Sequence, residues 1–366
     1  MRHISRRRIL AASLLTALTA ACGRAVSRPV GADEAFVCPP CGCAMDGIDF
    51  DAPGLCPDCG MVLQPKAEAR LGLEPAALAP LAGHFEMPGR AGSRIGVHYY
   101  KPAGFSPDTP ILLVIPGAGR NSAEYRNAWL DAARDRNILV AALQYREADY
   151  DFAAYHMAGL VSQLNFANAE VTQAGRARVI QLDDSDIDLQ PQTDKAGWLF
   201  SDFDRIFRHI AAITGSREDH YDIYGHSAGG QILHRMAIFY PRSRADRIIA
   251  ANAGFYTLPE ADRALPFGIA DMDLSESDLE AAFSSRLTLL LGARDNHETA
   301  GGTFLRTPAT DRQGAGRLQR GRTFLETAER RAAELETPLN WTLRTVPDVG
   351  HDHVAMSAAA ARILYE

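Results

Sequence analysis

Three side chains, far apart in the chain, are of the types that acyl transfer needs, and each stands just past a strand-like run. Gly225-His226-Ser227-Ala228-Gly229-Gly230 follows the apolar stretch Tyr221 to Tyr224 and precedes a helical pattern over Gln231 to Tyr240. A Gly-x-Ser-x-Gly turn between strand and helix reads as a nucleophile elbow. The glycines let the turn tighten and the two elements approach, and the helix N-terminus offers amides to a developing anion. A serine hydroxyl needs a base to take its proton and an acid to orient that base. Both follow downstream. Leu287-Thr288-Leu289-Leu290-Leu291 leads into Gly292-Ala293-Arg294-Asp295, and the run Trp341 to Val346 leads into Pro347-Asp348-Val349-Gly350-His351. Asp271, Asp273 and Asp348 compete with Asp295, and His353 and His297 with His351. Position just past a strand favours Asp295 and His351.

A fourth motif lies upstream: Ile111 to Ile115 forms a strand pattern and Pro116-Gly117-Ala118-Gly119-Arg120-Asn121 a Gly-rich loop. With these four motifs, and the order Ser, Asp, His, residues from about 90 to the C-terminus resemble an α/β-hydrolase of the esterase and polyester-depolymerase-like branch. The resemblance implies an α/β fold with a mostly parallel central sheet flanked by helices. It implies that Ser227 attacks a carbonyl, His351 carries the proton, Asp295 fixes the imidazole, and the amides of Ala118 and Ala228 receive the oxyanion, with no cofactor for catalysis. Relatives commonly have His-Gly where this chain has Pro116-Gly117. Arg120 and Asn121 are either substrate contacts or part of a solvated loop. The expected activity is cleavage of a carboxylic ester. The same three residues serve a serine peptidase or amidase, because specificity lives in pocket contacts. A metal-handling accessory protein using the fold as a scaffold is the alternative outside enzymes.

The chain has 366 residues, 46% of them hydrophobic, enough for one large domain and a small one. The formal net charge is −7 and no basic stripe lies outside the first ten residues, which argues against nucleic acid as a partner.

Cysteine usage marks the small domain. Five of the six cysteines lie between positions 38 and 59, and none follows. Cys38-Pro39-Pro40-Cys41 and Cys56-Pro57-Asp58-Cys59 are paired knuckles 14 residues apart, a spacing that lets two turns present four thiolates to Zn²⁺. Thiolates would hold Cu(I) as readily. The segment Pro53 to Leu63 closely resembles the heavy-metal-binding domain attached to copper-transporting ATPases and periplasmic efflux adaptors, which implies a metal-handling partner. Relatives commonly have Met-His where this chain has Pro40-Cys41, and Cys43 is an extra thiol. A structural zinc site, a transient copper or zinc carrier and a disulfide staple are the three readings. Ahead of it, Ser5-Arg6-Arg7-Arg8-Ile9-Leu10 and the apolar stretch to Ala21 resemble a twin-arginine export signal, too short to span a bilayer. It ends close to a lipobox at Cys22, so the expected location is the periplasm, free or anchored through a lipidated Cys22. The organisation expected is a signal peptide over 1–22, a metal-binding ribbon over 35–65, a linker over 66–93 and the hydrolase domain over 94–366. The polar stretches Phe166 to Gly197 and Gly301 to Gly316 are expected to be lids, substrate loops or plain surface excursions.

Overall fold

The computed structural model describes residues 35–37, 45, 48–54, 56–57, 63–66, 78, 81–174, 176–296 and 301–366. The leader, Cys22, Cys38, Cys41, Cys43, Cys59 and His297 lie outside the described residues. Short strands β1 (Phe36–Val37), β2 (Asp49–Phe50) and β3 (Gln64–Pro65) form an antiparallel sheet in the order β2-β1-β3. Phe36, Cys56 and Leu63 pack together there, with Met45 and Phe50 against them. Of the four expected thiolate ligands only Cys56 is described, and it is buried in this cluster.

The large sheet has eight strands: β4 (Leu81–Pro88), β5 (Arg94–Lys101), β6 (Ile111–Ile115), β7 (Leu139–Tyr145), β12 (Tyr221–His226), β13 (Ala245–Ala251), β14 (Arg286–Gly292) and β16 (Thr342–Val346). Their order across the sheet is β16-β14-β13-β12-β6-β7-β5-β4. The pairs from β16 through β7 are all parallel, and β5 and β4 add antiparallel strands at one edge. Central strands read as continuous apolar runs because both faces are covered. Ile111, Leu113, Ile115, Ile223 and Leu289 point into one buried cluster, and Leu112, Val114, Tyr224, Ile249 and Leu290 into the other. The first face is covered by helices including α3 (Phe152–His156), α4 (Phe200–Thr214), α5 (Ala228–Phe239) and α6 (Glu276–Ser284); α9 (His353–Tyr365) packs on the second. Among the described residues no helix is long and apolar enough to cross a membrane.

The sequence boundaries shift in three places. The expected linker contains β4, whose eight residues pair in register with β5, so the sheet begins at Leu81 rather than near Arg94. β4 is an edge strand with a mostly exposed side-chain pattern, so it carries little apolar signal, and Pro88 ends it rather than breaking it. The helical periodicity of the sequence over 123–135 is carried by two helices, α1 (Ser122–Asn127) and α2 (Leu130–Asp135). The two polar excursions are not irregular. The first follows β8 (Val161–Phe166) and holds β9 (Glu170–Ala174), β10 (Arg176–Gln181) and β11 (Ile187–Pro191), and the second holds β15 (Gly301–Arg306) and α7 (Pro308–Gln313). β10 pairs parallel with β15, so two excursions more than a hundred residues apart close on each other. A ladder between partly exposed strands is written in backbone bonds, which composition does not report.

Candidate active site

All four chemistry-bearing motifs lie at the C-terminal ends of parallel strands, where α/β sheets open their crevice. Ser227 follows β12 and caps α5 with φ 58° and ψ −114°, a left-handed-side conformation that a side chain tolerates only when its surroundings enforce it. Its amide donates to the Ala251 carbonyl at 2.9 Å and its carbonyl accepts from Gln231 at 3.0 Å. Gly229 is required by close approach: a Cβ there would overlap the Ile115 carbonyl at the end of β6. The nucleophile corner is thus held by backbone pressed on backbone.

Ser227, His351 and Asp295 form one hydrogen-bonded line. His351 Nε2 lies 3.0 Å from Ser227 Oγ and His351 Nδ1 lies 2.6 Å from Asp295 Oδ2. Asp295 is fully buried. Burial alone would raise its pKa, but the Arg317 charge and the bond from His351 more than offset that and leave it below the ordinary carboxylate value. His351 is held below the usual imidazole value by burial first and by Arg317 second, against the opposing pull of Asp295. The imidazole is therefore neutral near pH 7, the state in which it can accept a proton.

The described rivals Asp271, Asp348 and His353 have other partners. Asp271 accepts the Leu265 amide, Asp348 is an exposed partner of Arg294, and His353 stacks on Tyr125 with ring centroids 4.5 Å apart. Ala118 lies in the loop after β6 and Ala228 opens α5, so both expected oxyanion donors sit beside the serine corner. A Cβ on Gly117 would lie 3.4 Å from Ser227 Cβ, which measures how closely that loop approaches. Arg120 is not part of a solvated loop. It is buried, its guanidinium bonded to the carbonyls of Tyr145, Tyr150 and Asp151 and lying over the Tyr155 ring. Tyr155 in turn donates to the Pro116 carbonyl at 2.7 Å. Together they anchor the Gly-rich loop from behind.

Three supporting residues escaped the sequence reading. Asn252, at φ 46°, accepts the Gly292 amide at 2.8 Å and donates to the Gly350 carbonyl at 3.1 Å, bracing the turn before Asp295 to the turn before His351. Tyr125 Oη lies 3.0 Å from His226 Nδ1, behind the His351 ring. Arg317 donates to Asp295 Oδ1 at 2.9 Å. Asn252, just past β13, had the strand-end signal shared by the triad; Arg317 had none.

No model of a known protein family matches the chain, and no curated protein is detectably similar in sequence. Solved structures do match. The chain is 34% identical to poly(aspartic acid) hydrolase-1 from Sphingomonas sp. KT-1, over 79% of this chain and 100% of that one, with a TM-score of 0.66. It is 28% identical to LpqC, a poly(3-hydroxybutyrate) depolymerase from Bordetella parapertussis, over 78% of this chain and 91% of that one, with a TM-score of 0.65.

Proposed function

Because the chain belongs to the α/β-hydrolase family of poly(aspartic acid) hydrolase-1, we propose that it is a serine hydrolase that cleaves carboxylic esters through an acyl-enzyme. The observation that carries this reading is the unbroken line from Ser227 Oγ through His351 to the buried Asp295 carboxylate. Ser227 adds to the substrate carbonyl as its proton passes to His351 Nε2. Asp295 holds the Nδ1 proton and stabilises the imidazolium that forms. The amides of Ala118 and Ala228 receive the oxyanion. The imidazolium gives its proton to the leaving alcohol, and water then repeats the sequence to release the acid. A panel of p-nitrophenyl esters of rising chain length tests this: Ser227→Ala is expected to lose at least about 10³ in turnover. A variant as active as the wild type refutes it.

A second reading, amide cleavage, is favoured by the 34% identity to a hydrolase of poly(aspartic acid), a polymer joined by amide bonds. The same acyl-enzyme serves both bonds. Release of soluble products from poly(aspartic acid) and from poly(3-hydroxybutyrate), each with the Ser227→Ala control, separates the two.

The proposal extends to an exported protein, periplasmic or anchored through a lipidated Cys22, whose ribbon takes Zn²⁺ or Cu(I) through Cys38, Cys41, Cys56 and Cys59 and docks a metal-handling partner. Its support is the knuckle spacing and the leader pattern. About one metal ion per reduced chain is expected, with esterase activity unchanged after chelation. No metal and no free thiols would indicate a disulfide staple.

A further inference from the structure

Behind the Asp295 carboxylate lies a cation that takes no part in the proton transfers themselves. Arg317 opens helix α8 (Arg317–Glu334), and both members of its ion pair with Asp295 have fully buried side chains. The two carboxylate oxygens are divided between partners: Oδ1 accepts from Arg317 Nη1 at 2.9 Å and Oδ2 lies 2.6 Å from His351 Nδ1. A carboxylate held at both oxygens has one orientation. The other arm of the guanidinium, Nη2, donates to the carbonyls of Gly301 at 2.9 Å and Thr303 at 2.8 Å, and the group lies over the Phe304 ring. That strand end covers the base. A Cβ on Gly301 would lie 3.3 Å from His351 Cβ, and one on Gly302, which has φ 64°, would lie 3.1 Å from His351 Cδ2.

We propose that Arg317 is a positioning residue of the triad, fixing the ionised Asp295 carboxylate in its one productive rotamer and clamping the Gly301–Thr303 segment over the His351 imidazole. Charge and geometry point the same way. A carboxylate buried without a counter-charge would take up a proton rather than stay ionised, and a protonated Asp295 could not stabilise the imidazolium. Arg suits the place better than Lys, because a fork can serve the carboxylate and two carbonyls at once and stays charged when buried.

The groups facing His351 are Asp295, Arg317, His226 and His353, and those facing Asp295 are His351, Arg317 and Tyr256. In this set Arg317 is the fixed cation, and it lowers the His351 pKa. Removing it raises the pH at which the Asp295–His351 pair takes up a proton, whichever of the two holds it, because a neighbouring fixed positive charge is lost. Activity requires neutral His351 beside ionised Asp295, so the acid limb of the pH profile must move to higher pH.

The inference rests on the serine-hydrolase reading and is tested with Arg317→Met and Arg317→Lys in the full-length chain. Two readouts serve: kcat and KM on a p-nitrophenyl ester, and the rate of fluorophosphonate labelling against pH. Arg317→Met is expected to lose about 10² in kcat with little change in KM, and to shift both acid limbs upward. Arg317→Lys is expected to keep the limb near the wild-type position and recover part of kcat. If Arg317→Met does not fold, the lysine variant decides alone: unchanged kcat overturns the proposal, and lowered kcat with an unmoved limb upholds it. A methionine variant with wild-type kcat and limb, or one that loses kcat with the limb unmoved, overturns it. Wild-type protein that fails to label overturns the serine-hydrolase reading instead, which keeps the two failures distinct.

Discussion

Ser227 and Asp295 stand at the ends of strands with only β13 between them, yet they are held by different forces. Ser227 is fixed by backbone: a strained φ, an amide bonded to Ala251, and glycines that admit the neighbouring main chain. Asp295 is fixed by side chains, Arg317 on one oxygen and His351 on the other. Geometry set by close backbone approach needs particular small residues in a short window, so it leaves a motif. Geometry set by a buried ion pair needs one arginine 22 positions later on another element, which leaves no local trace.

The largest effect should come from the side-chain end. Asp295→Asn keeps the shape but offers His351 the wrong hydrogen-bond pattern, and turnover on the best p-nitrophenyl ester should fall about 10⁴-fold with the melting curve little changed. A fall in turnover smaller than that of Asp348→Ala would move the acid role away from Asp295.

At the backbone end, the expected loss is in folding rather than in chemistry alone. Gly229→Ala forces a methyl into the Ile115 carbonyl, which cannot yield without separating α5 from β6. Denaturant melts should show a loss of about 3 kcal/mol, with activity lost in proportion to the misplaced serine. Wild-type stability there would mean that the corner is not backbone-limited.

Between the two lies Asn252, a side chain that holds two backbone turns. Asn252→Ala strands the buried Gly292 amide and takes a partner from the half-buried Gly350 carbonyl, at a cost of about 2 kcal/mol. Because those turns carry Asp295 and His351, kcat should fall while KM changes little. Asn252→Asp is the second variant: it keeps the acceptor for Gly292 but sets a buried carboxylate oxygen against the Gly350 carbonyl, so it should be at least as damaging as alanine.

The smallest effect is expected from Asp348→Ala. Asp348 pairs with Arg294 at 2.7 Å with both side chains well exposed, and such pairs contribute less than about 1 kcal/mol. Turnover should be unchanged, which separates it from Asp295.

The pattern of what could be read follows the same physics. The strands at 111–115 and 287–291 were legible because parallel strands covered on both faces must be apolar throughout, while β16, an exposed edge strand of mixed composition, was marked by Trp341 before it and by Gly350-His351 after it. The order and strand-end position of Ser227, Asp295 and His351 followed from those strands. β4 was hidden because an exposed edge strand need not be apolar, and β10 with β15 because their pairing spans 125 positions at the Arg176–Gly301 register. Arg120 looked like a loop residue by its neighbours, yet buried carbonyls of a later segment claim its guanidinium. Charged residues in sequence suggest solvent, and only the fold shows which of them have carbonyls or carboxylates waiting.

The most direct measurement is to treat the wild-type protein with a fluorophosphonate and map the modified peptide by mass spectrometry. The expected result is one adduct per chain on Ser227, absent in His351→Ala under the same exposure. An adduct on another residue, or equal modification of the His351→Ala variant, would contradict the claim that His351 and Asp295 activate Ser227.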